Sequence, residues 1–152
     1  MARRARASGQ ILPVIVLDTN VVSALMRRAA DLKAVDWLDR QPAESLWVSA
    51  VTVFEIEFGL RLLAPGRRRS QLEAAFQDAL AEDFEGRVLP FDEAAARAAG
   101  AIAAERQRAG RTVEFRDVQI AGIVAARRAT LATRNRKHFE GLGLTLVDPW
   151  GA

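Results

Sequence analysis

Four consecutive apolar residues, Val14-Ile15-Val16-Leu17, run directly into Asp18-Thr19-Asn20 and then into a segment of helical period. An apolar run this short fits a strand buried on both faces, which is the pattern of a parallel sheet covered by helices rather than of an exposed antiparallel one. The rest of the chain repeats the alternation. Strands are expected at 14–18, 46–49, 87–91, 130–133 and 144–147. Helices are expected at 20–28, at 32–40 after an Asp31 cap, at 52–63 and 70–82, from Asp92 to about Arg108 before Gly110, and at 116–128, with a single helical turn over 134–139. The fold class is therefore α/β, with a mostly parallel central sheet of four to five strands between helical layers. In such sheets ligands collect beyond the carboxyl ends of the strands, where Asp18, Ser49, Asp92 and Arg134 fall.

The chain has 152 residues, half of them hydrophobic and 27% charged. That length suits one domain, taken as residues 11–152, preceded by a disordered basic tail over 1–10 that offers almost nothing large to bury. No apolar stretch is long enough for a membrane span, and Pro13 with Asp18 spoils the N-terminus as a signal peptide, so the expected location is cytoplasmic. There is no cysteine and only one histidine. Disulfides, thiolate metal sites and histidine-rich zinc sites are thereby excluded, and any metal must be held by oxygen. Neither a G-x-G-x-x-G nor a Walker pattern occurs, which argues against dinucleotide and ATP chemistry. The net charge of +3 is carried mostly by arginine, the side chain best shaped to grip phosphate, although an Arg-rich codon bias explains the excess equally well.

Asp18 has two acidic counterparts on helical segments, Glu55 in Ser49-x-x-Thr52-x-x-Glu55-x-x-x-Gly59 and Asp117 in Asp117-x-x-Ile120-Ala121. Two like charges about 4 Å apart repel by about 4 kcal/mol at an effective dielectric near 20, so a convergence of all three calls for a cation, and magnesium is the expected one. Each acid also has a purely structural reading. Asp18 could cap a helix, the Thr52–Glu55 spacing is that of a capping box, and Asp117 could serve a helix dipole. Asp92 is read as an N-cap, Trp37 as core, Glu57 as surface and His138 as a structural histidine. The arginines at 67–69, placed in a loop, and at 127–128 are expected to add sequence-independent phosphate affinity.

Taken together, Val16-Leu17-Asp18-Thr19-Asn20, Ser49 to Gly59, Asp117-Val118-Gln119-Ile120-Ala121 and Ala132-Thr133-Arg134-Asn135 resemble the PIN-domain ribonucleases. Arg87-Val88-Leu89-Pro90-Phe91-Asp92-Glu93 and Asp148-Pro149-Trp150 are similar to the VapC/FitB-type toxins among them. The resemblance spans about residues 14 to 150. It implies a PIN-like α/β/α sandwich that cuts RNA with Mg²⁺ or Mn²⁺, pairs as a homodimer and is silenced by a cognate antitoxin. It places the catalytic and metal-binding acids at Asp18, Glu55 (directly or through water) and Asp117. The fourth position falls on Asn135 where the FitB-like pattern has aspartate, leaving one charge fewer. Thr19 and Asn20 are expected to orient the Asp18 loop and to lie near substrate, with Arg134 and Arg116 as candidate phosphate contacts. The competing reading is a non-catalytic RNA-binding or regulatory module that retains the fold. An aspartyl-phosphate phosphohydrolase is disfavoured, because Asn20 stands where the second aspartate would be.

Overall fold

In the computed structural model, which describes residues 11–27 and 31–151, five short parallel strands form one sheet in the order β3-β2-β1-β4-β5. The strands are β1 (Ile15–Leu17), β2 (Leu46–Ser49), β3 (Val88–Leu89), β4 (Thr130–Ala132) and β5 (Thr145–Val147). Six α-helices connect them: α1 (Thr19–Met26), α2 (Leu32–Asp39), α3 (Ala50–Leu62), α4 (Arg67–Asp78), α5 (Glu93–Arg108) and α6 (Phe115–Ala126). The expected tail at 1–10 lies outside the described residues. None of the described helices is long and apolar enough to cross a membrane.

β1 occupies the middle, with Val16 opposite Trp47 of β2 on one side and Leu131 of β4 on the other. Its three residues are all buried, because the pleat sends Ile15 and Leu17 to one face and Val16 to the other, and both faces are covered. On the first face Ile15, Leu17, Leu46 and Val48 pack with Val21, Val22 and Leu25 of α1, Leu38 of α2, Ile56 and Leu60 of α3 and Phe76 of α4. On the second, Val16 and Leu131 pack with Ala95 and Ile102 of α5 and with Val118, Ile120 and Ile123 of α6. The result is the expected three-layer α/β/α sandwich.

Several boundaries differ from those expected, each for a local reason. β3 keeps only two residues because Pro90 has no N–H for the ladder. Arg87, expected within that strand, instead turns its guanidinium onto the carbonyls of Leu46 (2.9 Å), Ala43 (2.6 Å) and Asp83 (3.0 Å), clamping the sheet edge. α4 begins at Arg67 rather than after the arginine triplet. Arg69 is accommodated in its first turn by Glu73 at 2.6 Å and by the Leu63 carbonyl at 3.4 Å, which offsets the unfavourable dipole. The same helix ends in a widened π turn over Ala79–Asp83. Asp31 precedes α2 without making a side-chain cap, and Leu32, expected on the apolar face, is 66% exposed. Trp37 is partly buried against the first core. Asp92 caps α5 as expected, its carboxylate accepting from the Ala95 N–H at 3.0 Å. Glu57 is a surface residue paired with Arg61.

α5 and α6 press together closely enough that no side chain fits at Gly122. A Cβ there would lie 2.4 Å from the Ala95 carbonyl oxygen and 2.6 Å from the Ala99 Cβ.

Candidate active site

Asp18 leaves β1 just as the strand ends, with its backbone N–H still bonded to the Ala132 carbonyl of β4 at 2.8 Å. The next residue starts α1, so the side chain is fixed between the central strand and a helix N-terminus. Oδ1 accepts the Thr19 N–H at 2.9 Å, and Oδ2 accepts the Thr133 hydroxyl at 2.7 Å. Only 6% of the residue is exposed. Burial pushes its carboxyl above the ordinary aspartate range, against the two hydrogen bonds and the nearby His138, which favour the charged form.

Glu55 arrives from the middle of α3, and the expected capping box is not what holds it. Ser49 caps that helix, its hydroxyl accepting the Thr52 N–H at 3.1 Å. Thr52 and Ser49 are fully buried, and their hydroxyls sit 3.4 Å apart with Ser49 donating. Thr19 donates to Glu55 Oε1 at 3.0 Å and stands 3.1 Å from Thr52. A hydroxyl has one proton, so Thr19, having given its own to Glu55, must receive that of Thr52. The hydroxyls of Ser49, Thr52 and Thr19 therefore all point their protons toward the Glu55 carboxylate. Even so, burial raises the Glu55 carboxyl. Thr19 and Arg116, whose Nη1 is 3.9 Å from Oε2, work in the other direction, and repulsion from Asp18 and Asp117 adds to the rise.

Asp117 lies in the first turn of α6, where its N–H donates to Glu114, the helix cap, at 2.8 Å. Burial raises its carboxyl most, followed by the Glu114 charge; His138 opposes this and Asp18 adds to it. His138 Nδ1 lies 3.0 Å from Asp117 Oδ2, a contact that a lone histidine on a short turn does not advertise in sequence.

The fold thus draws the acids near enough that Asp18 raises the carboxyls of both Glu55 and Asp117, and Asp117 raises that of Glu55. Among the described residues they do not yet form a closed group of three metal-binding side chains. Carboxylate oxygen is the ligand type that Mg²⁺ takes, commonly one or two carboxylates with several waters. The donors are all hard oxygens, and a divalent cation would relieve the repulsion that Asp18 exerts on Glu55 and Asp117.

Asn135 lies exposed beside Thr133. Its N–H donates to the Thr133 hydroxyl at 3.0 Å, and its exposed side-chain amide makes no hydrogen bond to the three acids. It is Thr133, inside the same motif but without an expected role of its own, that touches Asp18. Asn20 accepts from the Arg134 N–H at 3.5 Å, a long contact that ties the Asp18 loop to the end of β4. Arg134 carries its guanidinium over the Trp150 ring, 4.7 Å from the centroid. Arg116 is shared between Glu55 and Glu114. Of the arginines expected to face a polyanion, Arg69 is engaged with Glu73 and Arg127 with Asp92.

The PIN domain family matches residues 15–142, which includes all of the acids and their hydrogen-bond partners. This chain belongs to the PIN domain family. Within it, the chain is 38% identical to the plasmid stability protein StbB of Pseudomonas syringae pv. tomato, over 91% of this chain and all of StbB. It is 36% identical to the VapC ribonuclease Y4jK of Sinorhizobium fredii, over 90% of this chain and 98% of that one. The toxin FitB of Neisseria gonorrhoeae is 32% identical over 90% of this chain and 99% of its own. The FitAcB structure from that organism matches the PIN fold here with a TM-score of 0.82, covering 91% of this chain and all of its counterpart. As a PIN domain, this one presents its acids at the carboxyl end of the central strand.

Proposed function

We propose that this PIN domain is a metal-dependent endoribonuclease that hydrolyses RNA phosphodiesters and serves as the toxin of a toxin-antitoxin pair. One geometric fact supports this above the others: Asp18, nearly buried at the end of β1 and gripped by Thr133 and Thr19, faces Glu55 and Asp117 from two other helices. The relatives named as a VapC ribonuclease and as a toxin lend the same support.

Asp18, Asp117 and Glu55 would hold Mg²⁺, with Mn²⁺ able to substitute. When bound, such an ion neutralises charge on the phosphoryl oxygens and makes a nucleophile of water near neutral pH. The protein's own contribution is positional. Thr133 and Thr19 fix both oxygens of Asp18, so the carboxylate cannot rotate away from the cleft. The hydroxyl relay that ends with Thr19 donating to Glu55 holds that side chain in place and favours its charged form, against the burial that raises its carboxyl. Arg134 and Arg116 sit at the rim as phosphate contacts, and Asn135 borders the site as an outer residue. A cognate antitoxin is the expected protein partner. A second copy is the expected cover for the exposed α3 stripe of Phe54, Phe58 and Leu62, in which the two phenylalanine rings stack at 6.1 Å.

The test is cleavage of a mixed structured RNA pool by purified protein with Mg²⁺, Mn²⁺ or EDTA, alongside Asp18→Ala and Asp117→Ala shown to be folded by circular dichroism. Cleavage should require the metal and both acids. Undiminished cutting by both variants, or by the wild type in EDTA, would remove the assignment.

A further inference from the structure

A second cleft, of about 240 Å³, neighbours the one that contains Glu55 and is lined by Asn20, Arg27, Asp31, Arg134 and Trp150. It adjoins the acids directly. Asn20 is two residues from Asp18, and Arg134 follows Thr133, whose hydroxyl holds Asp18. Its charge is the reverse of the acidic centre. Arg27 and Arg134 face a single carboxylate, Asp31, and Lys33 stands at the edge, where a Cβ on Gly151 would meet its Cε at 3.3 Å.

The state of Arg134 decides what this cleft can take. Arg61, Arg69, Arg97 and Arg127 each pair with a carboxylate. Arg134 makes no ion pair among the described residues and instead lies on the indole of Trp150. Trp150 is itself anchored, with its side chain against the first core and its backbone N–H donating to Asp148 Oδ1 at 2.8 Å. Stacking occupies one face of the guanidinium but leaves the N–H edge free, which is the geometry for gripping two oxygens of one phosphate. A nucleobase cannot use the same indole face, since the arginine covers it. Arg27 also lines the larger cleft that contains Thr19, Glu55 and Arg68, so it stands on the saddle between the two.

We propose that the cleft between Arg27 and Arg134 seats a backbone phosphate of the RNA strand away from the cut, and that Trp150 is the positioning residue that aims Arg134 at it. This extends the nuclease reading by giving the strand a direction across the site: over α1 from the Glu55 side, past Asp18, to Arg134. It rests on that reading for the identity of the strand, but the binding chemistry can be measured without cleavage.

The experiment is fluorescence anisotropy of a labelled, random-sequence, single-stranded RNA with the full chain in EDTA across a salt series. The variants are Arg27→Gln, Arg134→Gln, Trp150→Leu and Trp150→Phe. Each arginine variant should weaken binding and flatten the plot of log affinity against log salt by about 0.7 for each phosphate it no longer neutralises. Trp150→Leu should weaken binding and raise KM for cleavage while kcat holds, and Trp150→Phe, which keeps an aromatic face under the guanidinium, should restore both. Both arginines are exposed, so their substitution does not threaten the fold, and they keep the test decisive if Trp150→Leu misfolds. Wild-type affinity and slope in both arginine variants would overturn the subsite, as would a wild-type protein that fails to hold the RNA at low salt. A protein that binds through Arg27 and Arg134 yet never cuts would refute the nuclease and leave the subsite standing. One that cuts but whose affinity ignores both arginines would do the opposite.

Discussion

Substituting Gly122 by alanine tests whether the contact between α5 and α6 sets the position of Asp117. The added Cβ would lie 2.4 Å from the Ala95 carbonyl oxygen, 2.6 Å from the Ala99 Cβ and 2.8 Å from the Ala99 nitrogen. Ordinary contact begins near 3.4 Å, so the helices must part by about 1 Å, since two of the three obstructing atoms are backbone and cannot rotate aside. Overpacking of this kind costs about 1–3 kcal/mol, and the rigid neighbours place it at the upper end. Alanine recovers about 0.5–1 kcal/mol of backbone entropy. The net loss is about 2 kcal/mol, or a fall in Tm of about 4–8 °C for a chain of this length. Gly100 provides the control, being helical and exposed with nothing within 4 Å of an added Cβ. Gly100→Ala should therefore raise Tm by about 1–4 °C. Both are read by thermal melting followed by circular dichroism. Because α6 carries Asp117, a displacement of about 1 Å should also lower cleavage, by as much as about a hundredfold, in Gly122→Ala and not in Gly100→Ala. A Gly122→Ala protein that melts at or above the wild type would refute the packing argument. One that melts lower but cuts normally would detach that packing from the site.

Two further outcomes follow from the acids themselves. The folded-state pKa of Asp18 is raised, so the fold binds its proton more tightly than the unfolded chain does. The resulting penalty is absent below the ordinary carboxylate range, near about pH 4, and grows as pH rises through the raised value. The Tm of Asp18→Asn minus that of the wild type, both in EDTA, should therefore increase from acid to neutral pH, and Mn²⁺ at neutral pH should raise the melt of the wild type alone; a difference that does not change with pH would contradict the burial account. Thr133→Val removes the 2.7 Å bond to Asp18 and the acceptor for the Asn135 N–H, which should cost about 1–3 kcal/mol in a urea titration, and an unchanged midpoint would show that the hydroxyl carries no such weight.

Much of the architecture was legible because burial on both faces leaves a local trace. The apolar run from Val14 to Leu17 reads as a buried strand, and Asp92 and Asp117 fall at helix starts where their residue type fits. Glu55 was found through a spacing that has a different cause: the cap is Ser49, and Glu55 is held by Thr19, 36 positions away. The arginine triplet at 67–69 misled for a related reason, since the Glu73 and Leu63 partners of Arg69 become apparent only once the helix exists. Thr133 stood inside a readable motif without a role of its own, and His138 read as structural. Each touches an acid from a different segment, Thr133 reaching Asp18 and His138 reaching Asp117, and neither hydrophobic period nor capping rules encode a contact between distant segments.

That distance has a consequence for how the site comes into being. Asp18 and the Thr133 hydroxyl that holds it are 115 residues apart in the chain, and they meet because β4 docks directly beside β1. Before β4 arrives, the Asp18 carboxylate has neither that donor nor its roof, and Asp117, on the helix leading into β4, has no reason to be near it. A fragment that stops short of β4 contains Thr19 and Glu55 but lacks the Thr133 donor to Asp18. During synthesis the Asp18–Thr133 contact can form only after β4 has emerged and docked, and any segment that competed for that edge of β1 would delay it.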